Sequence, residues 1–292
     1  MEPEPKVRRL AEADLPAAVR LSTQAGWNQT AADWRRLLMG WPDGCLAAFD
    51  PALLATGTLA TFAATAAPPT GWIGMILVEE RHRGRGHGGA MMRRLLEMAL
   101  AMRLAGVGLD ATDMGRPVYE KLGFRPHSTL CRWLGSPPLA AAIGGADTRL
   151  RPLLPADWPA VATLDRQATG VERLPLLRGL AAEPAAAAVV SVEGDHVTGF
   201  GLSRAGRTAR AIGPVVARTA AIADSVATAL LAATDDEPMI IDVPEGSPLE
   251  TVVEAAGFSV MRRVTRMLLP IAGTPASLVS PLVHAVVSFE LG

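Results

Sequence analysis

The chain has 292 residues, of which 49% are hydrophobic and 20% charged, so it can build a packed core and is neither a disordered nor a coiled-coil protein. A formal net charge of −1 offers no strong field for nucleic acid or anionic lipid, and two cysteines are too few for a disulfide framework. Because there is no apolar leader and no uninterrupted apolar span, we expect a cytoplasmic protein without membrane or nucleic-acid partners. The five histidines show no metal-ligand spacing, so no metal is expected.

Helices and strands alternate along the first half of the chain. Strand 72–78 is nearly continuous in apolar residues, which indicates burial on both faces. The pattern predicts an α/β fold with a mixed sheet. The predicted elements in chain order are helices 14–23 and 32–38, strands 44–49, 53–62 and 72–78, helix 88–104, strand 106–111, helix 117–122 and strand 129–134.

Three short segments of the first half recur in the second half in the same order. Residues 7–17 match 150–160, residues 73–78 match 212–217, and residues 118–124 match 252–258. The offset falls from 143 to 139 to 134, as small loop deletions would produce. We therefore predict two tandem copies of one fold. The stretch rich in proline and glycine between them sets the predicted domains at 1–135 and 148–292, with a linker at 136–147.

A basic, glycine-rich loop, RHRGRGHGGA at 81–90, joins strand 72–78 to helix 88–104. Its backbone N–H groups, the helix N-terminus and two arginines predict an anion site suited to a pyrophosphate. One candidate ligand is a dinucleotide, because Gly84-x-Gly86-x-x-Gly89 is followed 21 residues later by Asp110, as in an NAD-binding oxidoreductase. That fingerprint should open the first βαβ unit, however, whereas about 70 residues of helix and strand precede it here.

The other interpretation of the loop is a coenzyme A site. Arg83-x-x-Gly86-x-Gly88 resembles the pyrophosphate loop of the GNAT superfamily of N-acetyltransferases. Residues 109–112 and 115–124, which contain Tyr119 and end in Gly-Phe, look like strand 5 and helix 4 of that superfamily. Segments 25–29, 72–75, 212–217, 241–244 and 288–292 are similar to a bacterial tandem-GNAT subgroup with YitH-like and holothin-acyltransferase-like members. This resemblance covers nearly the whole chain.

The GNAT resemblance implies an N-acetyltransferase that transfers an acyl group from acetyl-CoA to a small-molecule amine by direct attack on the thioester. Tyr119 takes the place of the general acid, and a phenol with a pKa near 10 is protonated at neutral pH. The loop amides would bind the pyrophosphate and the backbone of strand 72–78 would pair with the pantetheine arm. The implied cofactor-binding residues are Leu77, Val78, Arg83, Gly84, Arg85, Gly86, His87, Gly88, Gly89 and Ala90.

The sequence identifies the general base and the acceptor pocket less specifically. Glu79 and Asp110 both lie at strand ends, and either could take a proton from the attacking amine. Trp27, Asn28 and Gln29 occupy the first helix–helix loop and are candidates for the acceptor pocket. The identity of the amine and the oligomeric state, monomer or homodimer, are not indicated.

The second half lacks these features. At an offset of 139 the loop 83–88 falls on residues 222–227, and at an offset of 134 Tyr119 falls on Val253. We therefore expect this half not to bind coenzyme A, and to be structural or to wall the acceptor pocket. Asp165, Arg173 and Asp242 are its candidate polar residues, either for the pocket or as buried ion pairs. A non-catalytic acyl-CoA sensor is the alternative function for the whole chain.

Overall fold

The structure is a computed structural model that describes residues 6–64, 67–136, 149–233 and 237–292. Apart from Ser136, the predicted linker 136–147 lies outside these residues. Among the helices described, none is long and apolar enough to cross a membrane.

The described residues of the first half form six strands and four α-helices, and each predicted element overlaps one of them. A 3-10 turn, Glu12–Asp14, precedes the first helix. The Asp14 carboxylate accepts hydrogen bonds from the Ala11 N–H and from Arg8, and it does not cap that helix. The elements are β1 (Lys6–Arg9), α1 (Leu15–Gln24), α2 (Ala31–Gly40), β2 (Cys45–Asp50), β3 (Ala52–Phe62), β4 (Thr70–Val78), α3 (His87–Ala101), β5 (Gly106–Ala111), α4 (Arg116–Lys121) and β6 (Arg125–Gly135).

The second half repeats this order and adds one short strand at its end. The turn before its first helix is also repeated, because Asp157 accepts from the Leu154 N–H and from Arg151, as Asp14 does from Ala11 and Arg8. The elements are β7 (Leu150–Pro152), α5 (Trp158–Thr169), α6 (Leu174–Ala181), β8 (Ala187–Glu193), β9 (His196–Arg204), β10 (Arg210–Ala217), α7 (Ala220–Leu231), β11 (Met239–Pro244), α8 (Leu249–Ala255), β12 (Ser259–Pro270) and β13 (Val283–Ala285).

The two halves share one mixed sheet and exchange their sixth strands. The strand order is β1-β2-β3-β4-β5-β12-β6-β11-β10-β9-β8-β7, with β13 paired to β10. Strand β12 of the second half therefore lies beside β5 of the first, and β6 of the first lies beside β11 of the second. Antiparallel pairing of β12 with β6 joins the halves at the centre.

The fourth and fifth strands of each half pair in parallel for only three residues and then diverge. In the first half the pairing joins Thr70–Trp72 to Gly106–Gly108. In the second half it joins Arg210–Ile212 to Met239–Ile241, and β13 then pairs with β10 inside the gap. No strand of the described residues enters the corresponding gap between β4 and β5. We call each of these gaps a wedge. The wedge between β4 and β5 is open, whereas the wedge between β10 and β11 is filled by β13.

Candidate active site

The loop between β4 and α3 forms an exposed anion site. Gly84 and Gly86 have φ angles of +77° and +88°, a left-handed conformation that side chains other than glycine rarely adopt. Gly86 is the N-cap of α3, and the first helical hydrogen bond runs from the Ala90 N–H to its carbonyl. The preceding amides of the first turn, those of His87, Gly88 and Gly89, have no acceptor within the helix and are available to a phosphate.

Strand β4 is interrupted by a bulge at Met75, whose φ is +51°. The register with β3 shifts here, because Leu77 pairs with Thr56 whereas Gly74 pairs with Thr58. The Thr56 hydroxyl donates to the Met75 carbonyl at 2.9 Å and holds the bulge in place. Beyond it, Leu77 and Val78 pair with β3 on one edge only, so the other edge of their backbone faces the open wedge.

The wedge leads into a cavity of about 130 Å³. The first half contributes β4 backbone and side chains from the α1–α2 loop, β5 and α4, among them Trp27, Gln29, Asp110, Thr112 and Tyr119. The second half closes the cavity with β12 and with the C-terminal segment, through Arg262, Val264, Phe289 and Glu290. The second half therefore walls this cavity, which was one of its two expected roles.

Tyr119 lies on α4 and lines the cavity. Its side chain is half-buried, and its ring packs 6.1 Å from that of Phe124. Burial raises the pKa of the Tyr119 hydroxyl above its ordinary value. The phenol is therefore protonated at neutral pH and can donate a proton.

Asp110 also lines the cavity, but its carboxylate is engaged by the exchanged strand. Its two oxygens accept from Nε and from a terminal nitrogen of Arg266 at 2.9 and 2.8 Å. Burial raises the pKa of Asp110, and the adjacent Arg266 guanidinium opposes that rise.

Glu79 does not line the cavity. Its carboxylate caps a 3-10 turn by accepting from the Arg81 N–H at 2.9 Å, and it lies 2.7 Å from His82 Nδ1. The hydrogen bond with His82 lowers the pKa of Glu79. The structure thus brings Tyr119 and Asp110 to one cavity and leaves Glu79 at its edge, beside the loop.

The three predicted acceptor residues separate. Trp27 and Gln29 line the cavity. The Asn28 amide instead donates to the Ala209 carbonyl at 2.8 Å and accepts from the Thr208 N–H at 2.9 Å. Asn28 therefore holds the loop before β10 of the second half against the first.

Sequence reasoning missed the second-half residues of the cavity wall, above all Glu290. Gln29 Nε2 donates to Glu290 Oε2 at 3.0 Å across a separation of 261 residues. No periodicity or short motif joins residues so far apart. The resemblance of segment 288–292 to the tandem-GNAT subgroup was the one sequence signal that pointed to this segment.

The junction that corresponds to the glycine loop is short in the second half. Only Arg218 and Thr219 separate β10 from α7, where eight residues, 79–86, separate β4 from α3. Residues 222–227, on which the sequence offset placed the loop, lie within α7, so that alignment was wrong: the loop is deleted. The Thr219 side chain accepts from the Ile222 N–H and satisfies part of the helix N-terminus.

The polar candidates of the second half form buried ion pairs. Arg173 donates hydrogen bonds of 2.7 and 3.1 Å to the two carboxylate oxygens of Asp165, and both side chains are 1% exposed. Arg132 of β6 holds Asp242 of β11 through two hydrogen bonds of 2.7 Å. In the described part of the chain there is no cluster of three or more His, Cys, Asp or Glu that could hold a metal ion.

Two family models match the chain. The model described as the acetyltransferase (GNAT) family matches residues 8–124, and the one described as an acetyltransferase (GNAT) domain matches residues 161–276. The uncharacterized N-acetyltransferase YitH of Bacillus subtilis is 26% identical over 176 residues, which are 59% of this chain and 60% of YitH. The chain thus matches about three fifths of the length of that relative.

Solved structures share the whole fold. An acetyltransferase candidate from Pyrococcus horikoshii superposes with a TM-score of 0.80 at 21% identity, over 98% of this chain and 95% of its own. A tandem GNAT protein from the clavulanic acid biosynthesis pathway superposes with a TM-score of 0.67 at 15% identity, over 92% and 99%. The prediction of an α/β fold with a mixed sheet and two tandem GNAT-like halves is confirmed.

Proposed function

The chain belongs to the GNAT acetyltransferase superfamily, and on that premise we propose that it is an acetyl-CoA-dependent N-acetyltransferase whose one active site lies in the first half and acts on a small-molecule amine. In this proposal residues 1–135 carry the general acid and the coenzyme A site, and residues 148–292 are a second copy that no longer binds coenzyme A.

The observation that carries the proposal is the contrast between the two wedges. The β4–β5 wedge is open, follows a bulged strand and ends at a glycine loop with free amides. The β10–β11 wedge contains β13, and its junction to α7 has two residues. A pantetheine arm would pair with the edge of Leu77 and Val78 on which no strand lies, in place of the Arg83 side chain that now donates to the Val78 carbonyl at 3.2 Å, and its pyrophosphate would lie on the amides that begin α3.

The residues of the first half fit the chemistry of acyl transfer. A thioester supplies the acyl group, and the departing sulfur needs a proton. Tyr119 lines the cavity with a neutral hydroxyl and is our proposed general acid.

The size of the cavity supports a small acceptor. Its volume of about 130 Å³ is close to that of an engineered cavity of about 150 Å³ that holds benzene. We infer that the acceptor presents a group of roughly that size next to its amine.

Calorimetry and turnover together test the proposal. The wild type should bind one acetyl-CoA per chain and release thiol with at least one member of a panel of primary amines. Tyr119→Phe should lower kcat by about 10²–10⁴-fold and leave the acetyl-CoA Kd unchanged, because the phenol acts on the leaving group. Arg83→Ala should weaken acetyl-CoA binding, whereas Arg218→Ala, at the corresponding junction of the second half, should not.

Three outcomes contradict the proposal. Binding of NAD(H) and not of acetyl-CoA indicates an oxidoreductase. Acetyl-CoA binding without thiol release for any amine indicates a sensor. Two acetyl-CoA molecules per chain mean that the second half retains a site.

A further inference from the structure

We propose that Glu290, which the second half places in the wall of the first half's cavity, binds the acceptor amine as its ammonium ion and takes its proton. The acceptor class is then a primary amine that is cationic in solution. This inference rests on the proposed function and adds to it the general base and the charge of the substrate.

Glu290 lies against the strand that carries the bulge. A Cβ on Gly74 would come within 2.8–2.9 Å of the Glu290 carbonyl oxygen, Cα and Cβ, so only glycine allows this contact. Gly74 directly precedes Met75, the bulged residue after which the β4 backbone faces the open wedge. The carboxylate therefore belongs to the same short stretch of cavity as the strand proposed to hold the thioester.

The carboxylate of Glu290 has an unused acceptor. The side chain is 4% exposed, and Gln29 Nε2 donates to Oε2 at 3.0 Å. Among the described residues Glu290 Oε1 has no hydrogen-bond partner, and neither has Gln29 Oε1. Two buried oxygens that lack donors cost free energy, and an ammonium group supplies up to three N–H donors.

The ion cluster that Glu290 adjoins contains more carboxylates than guanidinium groups. Arg36 and Arg204 both hold Asp33, at 3.0 and 3.2 Å, and Arg36 also contacts Glu183. The nearest Arg204 nitrogen is 4.0 Å from Glu290 Oε1, beyond hydrogen-bond distance. Two guanidinium groups thus meet three carboxylates, and a bound cation would balance the third.

Four other buried arginines do not supply this charge, and one of them, Arg210, is paired with Glu237. Arg132, Arg173 and Arg266 each hold a different aspartate through two hydrogen bonds. Each of these pairs is internally neutral. Glu290 is therefore a buried carboxylate whose hydrogen-bonded partner is an amide and not a guanidinium.

The proton balance of the transfer is simple. Glu290 takes one proton from the ammonium, and the freed nitrogen lone pair forms the C–N bond to the acyl carbon as the C–S bond breaks. Tyr119 gives its hydroxyl proton to the sulfur and recovers one from the nitrogen as the amide forms. Glu290 passes its proton to solvent, so an ammonium and a thioester become an amide, a thiol and one released proton.

Glu290→Gln tests the assignment, because it keeps the size of the side chain and removes its charge. We expect kcat/KM for the amine to fall by about 10²–10⁴-fold, with the acetyl-CoA Kd unchanged. The acid limb of the wild-type kcat/KM profile should be lost. The charged groups around Glu290 are Arg36 and Arg204 with Asp33, Arg132 with Asp242, and the cavity residues Asp110 and Arg262. Arginine side chains stay charged in proteins, so they do not contribute a limb to the pH profile.

Asp157→Asn is the matched control. It makes the same carboxylate-to-amide change at a buried residue of the second half that lies outside the cavity, and it should leave kcat/KM unchanged. Glu290→Asp keeps the charge, so it should retain the acid limb of the kcat/KM profile with a reduced kcat. This variant tests the assignment if Glu290→Gln does not fold. Wild-type kcat/KM and pH profile in Glu290→Gln would overturn this inference alone, whereas a wild type that acetylates no amine overturns the proposed function.

Discussion

Asp110 of β5 and Arg266 of β12 form a fully buried, bidentate ion pair between the two halves of the chain, with neither side chain exposed to solvent. The Arg266 guanidinium also lies 4.4 Å from the centre of the Trp72 ring on β4. Strand β12 is the one that the second half contributes beside β5. The pair therefore fixes the exchanged strand at the edge of the open wedge.

Arg266→Met should destabilise the protein by about 3–5 kcal/mol, because it leaves the Asp110 carboxylate buried without its counterion. Urea unfolding of the variant measures this loss. Asp110→Leu combined with Arg266→Met should regain much of it, since both charges are then absent. Arg94→Met, which removes an exposed pair with Glu97 on α3, should change stability by less than about 1 kcal/mol. A loss of that small size in Arg266→Met would show that the pair does not fix the strand.

The helices and strands of the first half were predictable because the hydrophobic period and the turn residues that specify them lie within a few residues of one another in the chain. Strand 106–111 was predicted with its observed bounds, whereas helix 88–104 was predicted to end three residues beyond its observed end because the apolar Met102 fits the helical period. Met102 is 52% exposed. An apolar residue at the end of a helix fits the period equally well whether or not another element covers it.

The exchange of β6 and β12 was not predictable in the same way. Both strands follow the short fourth helix of their own half, and nothing within either strand specifies its neighbour. Pairing is decided by side chains distant in sequence, such as Arg266 with Asp110 and Arg132 with Asp242. For the same reason the motif-based site residues, Tyr119 and the glycine loop, could be proposed from the sequence, while Glu290 could not.

Gly86→Ala should weaken acetyl-CoA binding by about tenfold or more, because an L side chain at a φ of +88° costs about 1–2 kcal/mol and favours a different loop conformation. A Cβ at this position meets no atom within 4 Å, so the effect is on the backbone and not steric. Gly246→Ala is the matched control, with a φ of +82°, equally open space and a location in the turn after β11. Both variants should lose similar stability, and only Gly86→Ala should lose affinity in calorimetry. Equal acetyl-CoA affinities in the two variants would remove the loop from the binding site.

We expect the protein to lose stability in acid because its Asp33 carboxylate becomes protonated. Burial pushes the pKa of this carboxyl upward, but Arg204 and Arg36 outweigh burial and lower it to about 2. The pKa in the unfolded chain is about 3.9, so the folded state holds the ionised form more strongly. The resulting stabilisation, about 2–3 kcal/mol, is complete above pH ~5 and is lost as the pH falls from there through the folded pKa. Urea unfolding at successive pH values between 5 and 2 should show a steeper decline for the wild type than for Asp33→Asn. Asp43→Asn, at a carboxylate that is 71% exposed, should keep the wild-type slope. An Asp33→Asn variant with that same slope would mean that the two arginines do not hold the Asp33 charge in the folded protein.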